Sequence, residues 1–314
     1  MINSKKIFLM LISIVSFCFC ASSFGQKCAV TISNQSNRPI YVYDFNYGTP
    51  ASVQPVTKGN PLDKGKSLTL NFQPNPKMRI YFSDKPLAES LEKGQAPDPF
   101  NINVDGAVMY SFVEYNYEPG YSRYTFDLSY IDEYSYPVTV MFTNIGNYNG
   151  CQDGFEYGPQ KMSAITTQLE NQTDYKWNAL IWPLTNVKTR WGQYPNGIYR
   201  VAGPNKVWAA ETTDKYKIGP WVPSTYLDFI LSLPKAGTKL FSTDTNWNGW
   251  QNWNASHTPS PSGTGYVKAL HKAAIPDSKG KYGFFCYPND NSTGEFTWIP
   301  STVNCTVTVY PYDS

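Results

Sequence analysis

The chain has 314 residues, with 26 Lys and Arg against 24 Asp and Glu, and a net charge of +2 gives it no electrostatic footprint for nucleic acid. Aromatic residues make up 16% of it, but only two histidines occur, His257 and His271, and neither has carboxylate or cysteine neighbours at metal-ligand spacing. This argues against a zinc centre or a Ser-His-Asp hydrolase, and no phosphate-cradling glycine loop or nucleotide fingerprint points to a cofactor.

Residues 1–25 read as a secretory signal peptide: Lys5-Lys6, an apolar run from Ile7 to about Cys20, then small residues near Ser23-Phe24-Gly25. A lipoprotein anchor at Cys18 or Cys20 is the alternative, but the residues before each cysteine are not the aliphatic and small ones that a lipobox needs. Loss of two lysines with the leader leaves 24 basic residues against 24 acidic. The mature chain is therefore expected to be exported, extracellular or periplasmic, monomeric, and bound to neither nucleic acid nor membrane.

Residues 26–145 carry short alternating strands: Ala29–Ser33, Ile40–Tyr43, Ser67–Phe72, Arg79–Phe82 and Val138–Phe142. Such spacing predicts a sandwich or barrel. Between the last two lies the segment from Ser111 to Val138, an aromatic hairpin holding Glu114, Asp127 and Asp132. Phe112, Glu114 and Asn116 share one face and Val113, Tyr115 and Tyr117 the other. Pro119-Gly120 supplies the turn. A turn centred on that dipeptide sets Thr125 opposite Glu114 and makes Asp127 its diagonal neighbour on the same face. Asp132 has an odd offset from Asp127, so it joins them only if the chain bends near Ser129-Tyr130.

Residues 146–280 are expected to form a mixed insertion domain, with eight of the nine tryptophans and one clear helix, Ser224 to Leu233, ended by Pro234. The run Trp247-Asn-Gly-Trp250-Gln-Asn-Trp253 sets three indoles among amides, suited equally to sugar stacking and to packing. Residues 281–314 alternate again and are expected to return to the sheet. After export, Cys28, Cys151, Cys286 and Cys305 remain, and an even count favours two disulfides. Of three possible pairings, Cys28–Cys305 and Cys151–Cys286 are favoured, one tying the first and last strands and the other bracketing the insertion.

What remains chemically is carboxylate acid and base work on a carbohydrate. Glycoside hydrolysis needs one protonated carboxyl and one ionised partner, about 5 Å apart for retention or about 6.5 to 9.5 Å for inversion. Crowded acids titrate apart, which sets up those two roles. Acids on a hairpin can equally be a solvated face.

The string Phe-Val-Glu114-Tyr, then Phe-Asp127-Leu-Ser, then Ile-Asp132-Glu-Tyr-Ser-Tyr-Pro137-Val resembles the core of the thaumatin-like superfamily, which carries a Glu, an Asp 13 residues on and another Asp 5 residues further. Lys77-Met-Arg79-Ile-Tyr-Phe-Ser-Asp-Lys-Pro-Leu87 resembles the strand that gives that acidic cleft its arginine, and Tyr287-Pro-Asn-Asp290-Asn the segment that gives its last aspartate. With four mature cysteines, and with Gly197-Ile-Tyr-Arg-Val-Ala-Gly-Pro204 and Tyr226-Leu-Asp in the insertion, the chain is more similar to glycoside hydrolase family 64, the endo-β-1,3-glucanases.

The resemblance implies a mainly β fold: a thaumatin-like β-sandwich, a mixed α/β insertion domain and an acidic groove between them. It implies inverting hydrolysis of β-1,3-glucan, with Glu114 as general acid and Asp132 as general base, Arg79, Asp127 and Asp290 binding substrate, and neither cofactor nor metal. The alternative is a non-catalytic thaumatin-like protein that binds glucan or a cell-surface partner through the same acids.

Overall fold

A computed structural model describes residues 29–46, 52–55, 61–72, 77–87, 91, 96–99, 105, 107–118, 123–130, 132–146, 150–173, 176–185, 187–203, 218–232, 265–284, 295–300 and 303–312. The leader, Asp290 and the tryptophans at 247, 250 and 253 lie outside the described residues. Strands come first: β1 (Ala29–Asn34), β2 (Tyr41–Asn46), β3 (Ser52–Pro55), β4 (Ser67–Asn71), β5 (Met78–Ser83), β6 (Tyr110–Glu118), β7 (Arg123–Ser129), β8 (Glu133–Tyr134) and β9 (Val138–Thr143). The middle of the chain adds β10 (Glu156–Tyr157), helix α1 (Met162–Glu170), β11 (Ile181–Pro183), β12 (Lys188–Thr189), β13 (Gly192–Gln193), β14 (Tyr199–Ala202), α2 (Ser224–Ser232) and α3 (Gly265–Ala273). It ends on β15 (Glu295–Pro300) and β16 (Asn304–Val309).

The fold is mainly β and is built from several sheets. One has six strands, in the order β15-β7-β6-β5-β2-β3, and another five, in the order β10-β9-β16-β1-β4. The last strand runs parallel to the first and pairs with it, Val30 opposite Cys305. Alternating β1 (Ala-Val-Thr-Ile-Ser-Asn) buries every second residue, the signature of a strand with one covered face. The two large sheets share one core: Phe126 of β7 meets Phe142 of β9 edge-on, with ring centroids 5.6 Å apart. Around them lie Val30, Ile32, Val42, Ile80, Val113, Leu128 and Val140, all fully buried or nearly so. Each such side chain contributes roughly 1.5 to 3 kcal/mol by leaving water.

In the six-stranded sheet the opposite face is also covered, which decides where its polar residues can work. Tyr43, Phe45, Tyr81, Tyr110 and Phe112 form a second cluster there with Leu87, Leu91 and Val108. Asp44 points the other way, into the main core, where the Tyr115 hydroxyl donates to its Oδ1 at 2.9 Å. Burial pushes the Asp44 carboxyl up to about 6, against the pull of that hydrogen bond.

The central region is joined to the sheets through its own small sheet, β11-β14-β8, in which Val201 pairs with Tyr134 and Ala202 with Glu133. The expected helix at Ser224 is present, with Tyr226 and Phe229 meeting Trp182 and Trp177 edge-on, at 4.7 and 5.6 Å between ring centroids. Two further helices, α1 and α3, pack on each other. Among the described residues there is no disulfide, and the two bridges expected from the cysteine count are not supported. Cys151 and Cys305 are both buried; Cys28 and Cys286, their expected partners, lie outside the described residues. Burial pushes the Cys151 thiol up to about 11.

Candidate active site

The acidic hairpin forms as the alternation predicts, but its register differs from the expected one. Glu118 pairs with Arg123, so the connection spans 119–122 and is centred one residue later than Pro119-Gly120. Each pairing therefore shifts by two: Asn116 faces Thr125, and Glu114 faces Asp127 directly rather than diagonally. Pro119 has no amide to give to a ladder, so pairing does not continue through it. Strand β5 adds Arg79 opposite Glu114, and Phe45 of β2 stands opposite Arg79. One row across the sheet thus reads Phe45, Arg79, Glu114, Asp127. On the far side the backbone register sets Glu295 opposite Asp127.

Arg79 is fixed from three sides. Its Nε donates to Glu114 Oε1 at 2.7 Å, its Nη1 donates to the Tyr81 hydroxyl at 3.2 Å, and its guanidinium lies 4.7 Å from the Phe112 ring centroid. The pair is largely buried, with 18% of the Arg79 and 14% of the Glu114 side chain exposed. Burial works against the charge on Arg79, yet Tyr81, Glu114 and Asp132 together hold its pKa well above the ordinary arginine value. Behind it, Tyr81 is pushed up to about 12, first by burial. The backbone that starts β5 is held as well, because Lys77, at φ 59°, donates its N–H to Asn116 Oδ1 at 2.6 Å.

Asp132 reaches the same face. Strand β7 ends at Ser129, and the chain then turns before β8 begins at Glu133. Long-range contacts hold this turn: the Tyr266 hydroxyl donates to the Tyr130 carbonyl at 2.7 Å, and the Gly203 N–H to the Asp132 carbonyl at 2.7 Å. The Asp132 carboxylate, 6% exposed, has its Oδ2 3.4 Å from the Tyr110 hydroxyl. That hydroxyl has one proton and lies closer, at 2.9 Å, to the carbonyl of Pro97, which takes it. Tyr110 is pushed well above its ordinary pKa by burial and then by the charge of Asp132. Both Arg79 and Tyr81 are within electrostatic reach of Glu114 and of Asp132.

A second ion pair anchors the turn. Glu133 and Arg200 are each fully buried, Oε2 accepting from Nη1 at 2.9 Å. Glu133 Oε1 also accepts from the Tyr110 N–H at 3.1 Å and from the Ser135 hydroxyl. The Arg200 guanidinium lies 5.3 Å from the Trp182 ring centroid. Burial pushes the Glu133 carboxyl up, and Arg200 pulls against it. One carboxylate thus grips Tyr110, which meets Asp132, and the central strand β14 at once. Only the segment Gly197 to Pro204, in which Arg200 sits, marked this in the sequence; Tyr81, Tyr110 and Glu133 carried no signal of their own beyond the aromatic-rich pattern.

A cavity of about 640 Å³ lies elsewhere, between Pro183, Val187, Lys188, Trp221 and Val222 of the central region, and none of the carboxylates is among the described residues that line it. Carboxylate chemistry needs the acids, so we place the candidate site on the sheet. His271 is buried against Tyr282 and Phe284, at 4.3 and 5.0 Å between ring centroids; His257 lies outside the described residues.

No family model matches the chain, and no curated protein is similar to it in sequence. In fold it is similar to a GH family 64 laminaripentaose-producing β-1,3-glucanase from Paenibacillus barengoltzii, complexed with laminarihexaose, at a TM-score of 0.53 and 16% identity over 94% of this chain and 78% of that one. It is likewise similar to a β-1,3-glucanase domain (GH64) from Clostridium beijerinckii (TM-score 0.50, 12% identity, 91% and 98% covered). A laminaripentaose-producing β-1,3-glucanase in complex with laminaritetraose gives a TM-score of 0.50 and 16% identity, with 92% and 99% covered. The likeness is one of fold, and it runs along nearly the whole chain.

Proposed function

We propose that the chain is an exported endo-β-1,3-glucanase of the glycoside hydrolase family 64 type, with a thaumatin-like sheet pair as its frame. The observation that carries this reading is the row Arg79, Glu114, Asp127 on one sheet face, with Asp132 turned onto that face, in a fold shared with β-1,3-glucanases. In this reading a glucan chain lies across the row. Glu114 gives its proton to the glycosidic oxygen as the bond to the anomeric carbon breaks. Asp132 takes a proton from the water that attacks that carbon from the other side, so the configuration inverts. Arg79 holds Oε1 of Glu114, keeps the carboxyl aimed and offers donors to sugar hydroxyls, while Asp127 accepts from them.

Asp132 suits the base because it meets the sheet at Tyr110, four residues along β6 from Glu114. Inversion needs carboxyl groups farther apart than directly opposed neighbours, so that a water fits between them. The register gives a second reading its footing. Directly opposed residues have Cβ atoms about 4.5 to 5.5 Å apart, so Glu114 and Asp127 fall in the range of a retaining pair with Asp127 as nucleophile.

The reading is tested by incubating mature protein with laminarin and curdlan beside Glu114→Gln and Asp132→Asn. It predicts short oligosaccharides from the wild type, with both variants folded and slowed at least about a hundredfold. Retention on insoluble glucan without cleavage would make the protein a binding module, its acids serving only as acceptors for sugar hydroxyls.

A further inference from the structure

Trp191 is the one large aromatic side chain that stands well exposed among the described residues, at 45%. A tryptophan left in water forfeits the burial that usually justifies it, so its setting is informative. It sits at the tip of the β12–β13 hairpin, where the Thr189 hydroxyl accepts from the Trp191 N–H at 3.0 Å and donates to the Gly192 carbonyl at 2.7 Å. Gly192, at φ 109°, takes the conformation that lets so tight a tip close.

The indole itself is tethered. Its Nε1 donates to the Pro86 carbonyl at 3.2 Å, the Arg190 guanidinium lies 4.9 Å from its ring centroid, and Arg190 is anchored in turn by Asp105 at 2.8 Å. A ring held at its edge and braced by a cation loses little freedom when a ligand arrives. The tip is also tied to the strands that carry the acidic face. Leu87, next in the chain to Pro86, donates its N–H to the Tyr43 hydroxyl at 3.2 Å, and Tyr43 is two residues from Phe45 on β2, which stands in the Arg79–Glu114 row. Pro86 follows the end of β5 at Ser83, itself four residues or about 13 Å from Arg79.

We infer that Trp191 is a stacking platform at one end of the acidic face, gripping a β-1,3-glucan chain a few sugar residues from the bond that is cut. This rests on the functional reading above and names a binding residue for it. A sugar presents an apolar face of C–H groups that covers an indole, and Arg190 and Asp105 beside it donate to and accept from its hydroxyls. Short substrates that span only the acids do not reach the ring; long ones do.

The test compares wild type with Trp191→Ala and Trp191→Phe on laminarin and on laminaritriose, with retardation in native gels containing laminarin and a thermal melt alongside. For Trp191→Ala the platform predicts a KM for laminarin raised about tenfold, the triose kinetics and melting temperature unchanged, weaker retardation, and an intermediate Trp191→Phe. Unchanged laminarin kinetics and retardation would overturn it. Equal losses on both substrates would move the ring to the centre of the site and overturn its distal role. If the wild type neither cleaves nor is retarded, the functional reading fails and the platform with it; if it is retarded without cleaving, the loss of retardation in Trp191→Ala alone decides.

Discussion

Two arginine–carboxylate pairs flank Asp132, and they are built alike but placed in different regions. Arg79–Glu114 lies on the sheet face at 2.7 Å with part of each side chain open to water; Arg200–Glu133 lies at the seam with the central region at 2.9 Å with none. Each arginine also rests on an aromatic ring, Phe112 or Trp182. The difference is access: a carboxylate that must hand a proton to a substrate has to be reachable, whereas one that ties two backbone segments is most effective when water is excluded. In the proposed function the outer pair is the chemical one, and the inner pair ties β8, next to Asp132, to the central strand β14.

The widest separation between the two is expected on removing Arg200. Arg200→Met strands the Glu133 charge in a dry site, and losing one partner of a buried pair costs about 3 to 5 kcal/mol. Thermal unfolding should shift down by roughly 10 °C, and the added change Glu133→Gln should recover part of it, because an amide leaves no buried charge. A shift as small as that of an ordinary surface change would break the contrast.

Asp44 sharpens it from the inner face of the same sheet, where a carboxyl accepts from a tyrosine hydroxyl instead of pairing with an arginine among the described residues. Its folded pKa of about 6 exceeds the ordinary 3.8, so the folded state holds the proton more tightly. Its effect on stability is therefore favourable below about pH 4, is lost as pH rises through about 6, and stays lost above. Asp44→Asn should flatten that part of the stability-versus-pH curve and gain up to about 3 kcal/mol at neutral pH. Chemical denaturation at pH 4 and pH 7 reads it directly, and equal differences at both would refute the assignment.

The smallest effect on stability is expected at Arg79. Arg79→Met should cost about 2 kcal/mol in denaturation, less than Arg200→Met, since Glu114 keeps some access to water. Glucan hydrolysis should nevertheless fall by at least about tenfold, because the acid is no longer aimed. A large stability loss with intact activity would reverse the roles of the two pairs.

Much of this was legible beforehand because strands declare themselves by period-2 alternation. The faces of β6 and β7, and the sharing of one face by Glu114 and Asp127, follow from it. Register did not follow, because it depends on where the hairpin closes, and Glu118–Arg123 rather than Pro119-Gly120 decides that. The bend was required by parity alone, but what holds it comes from Tyr266, Gly203 and Arg200, far along the chain, and no local pattern announces such partners. Helices α1 and α3 escaped notice for a related reason. Lys161 precedes α1 without making a side-chain cap, so the usual start signal is missing there, and α3 opens on Gly265, a poor helix former, after a run of Pro, Ser and Gly that reads as loop.

The measurement that bears most directly on the central claim is the anomeric configuration of the first product, followed by proton NMR during cleavage of laminarihexaose. Glu114 and Asp132 acting across a water predict the α-anomer, with slow mutarotation to β afterwards. A β-anomer formed first would contradict that pair and assign the chemistry to Glu114 and the directly opposed Asp127.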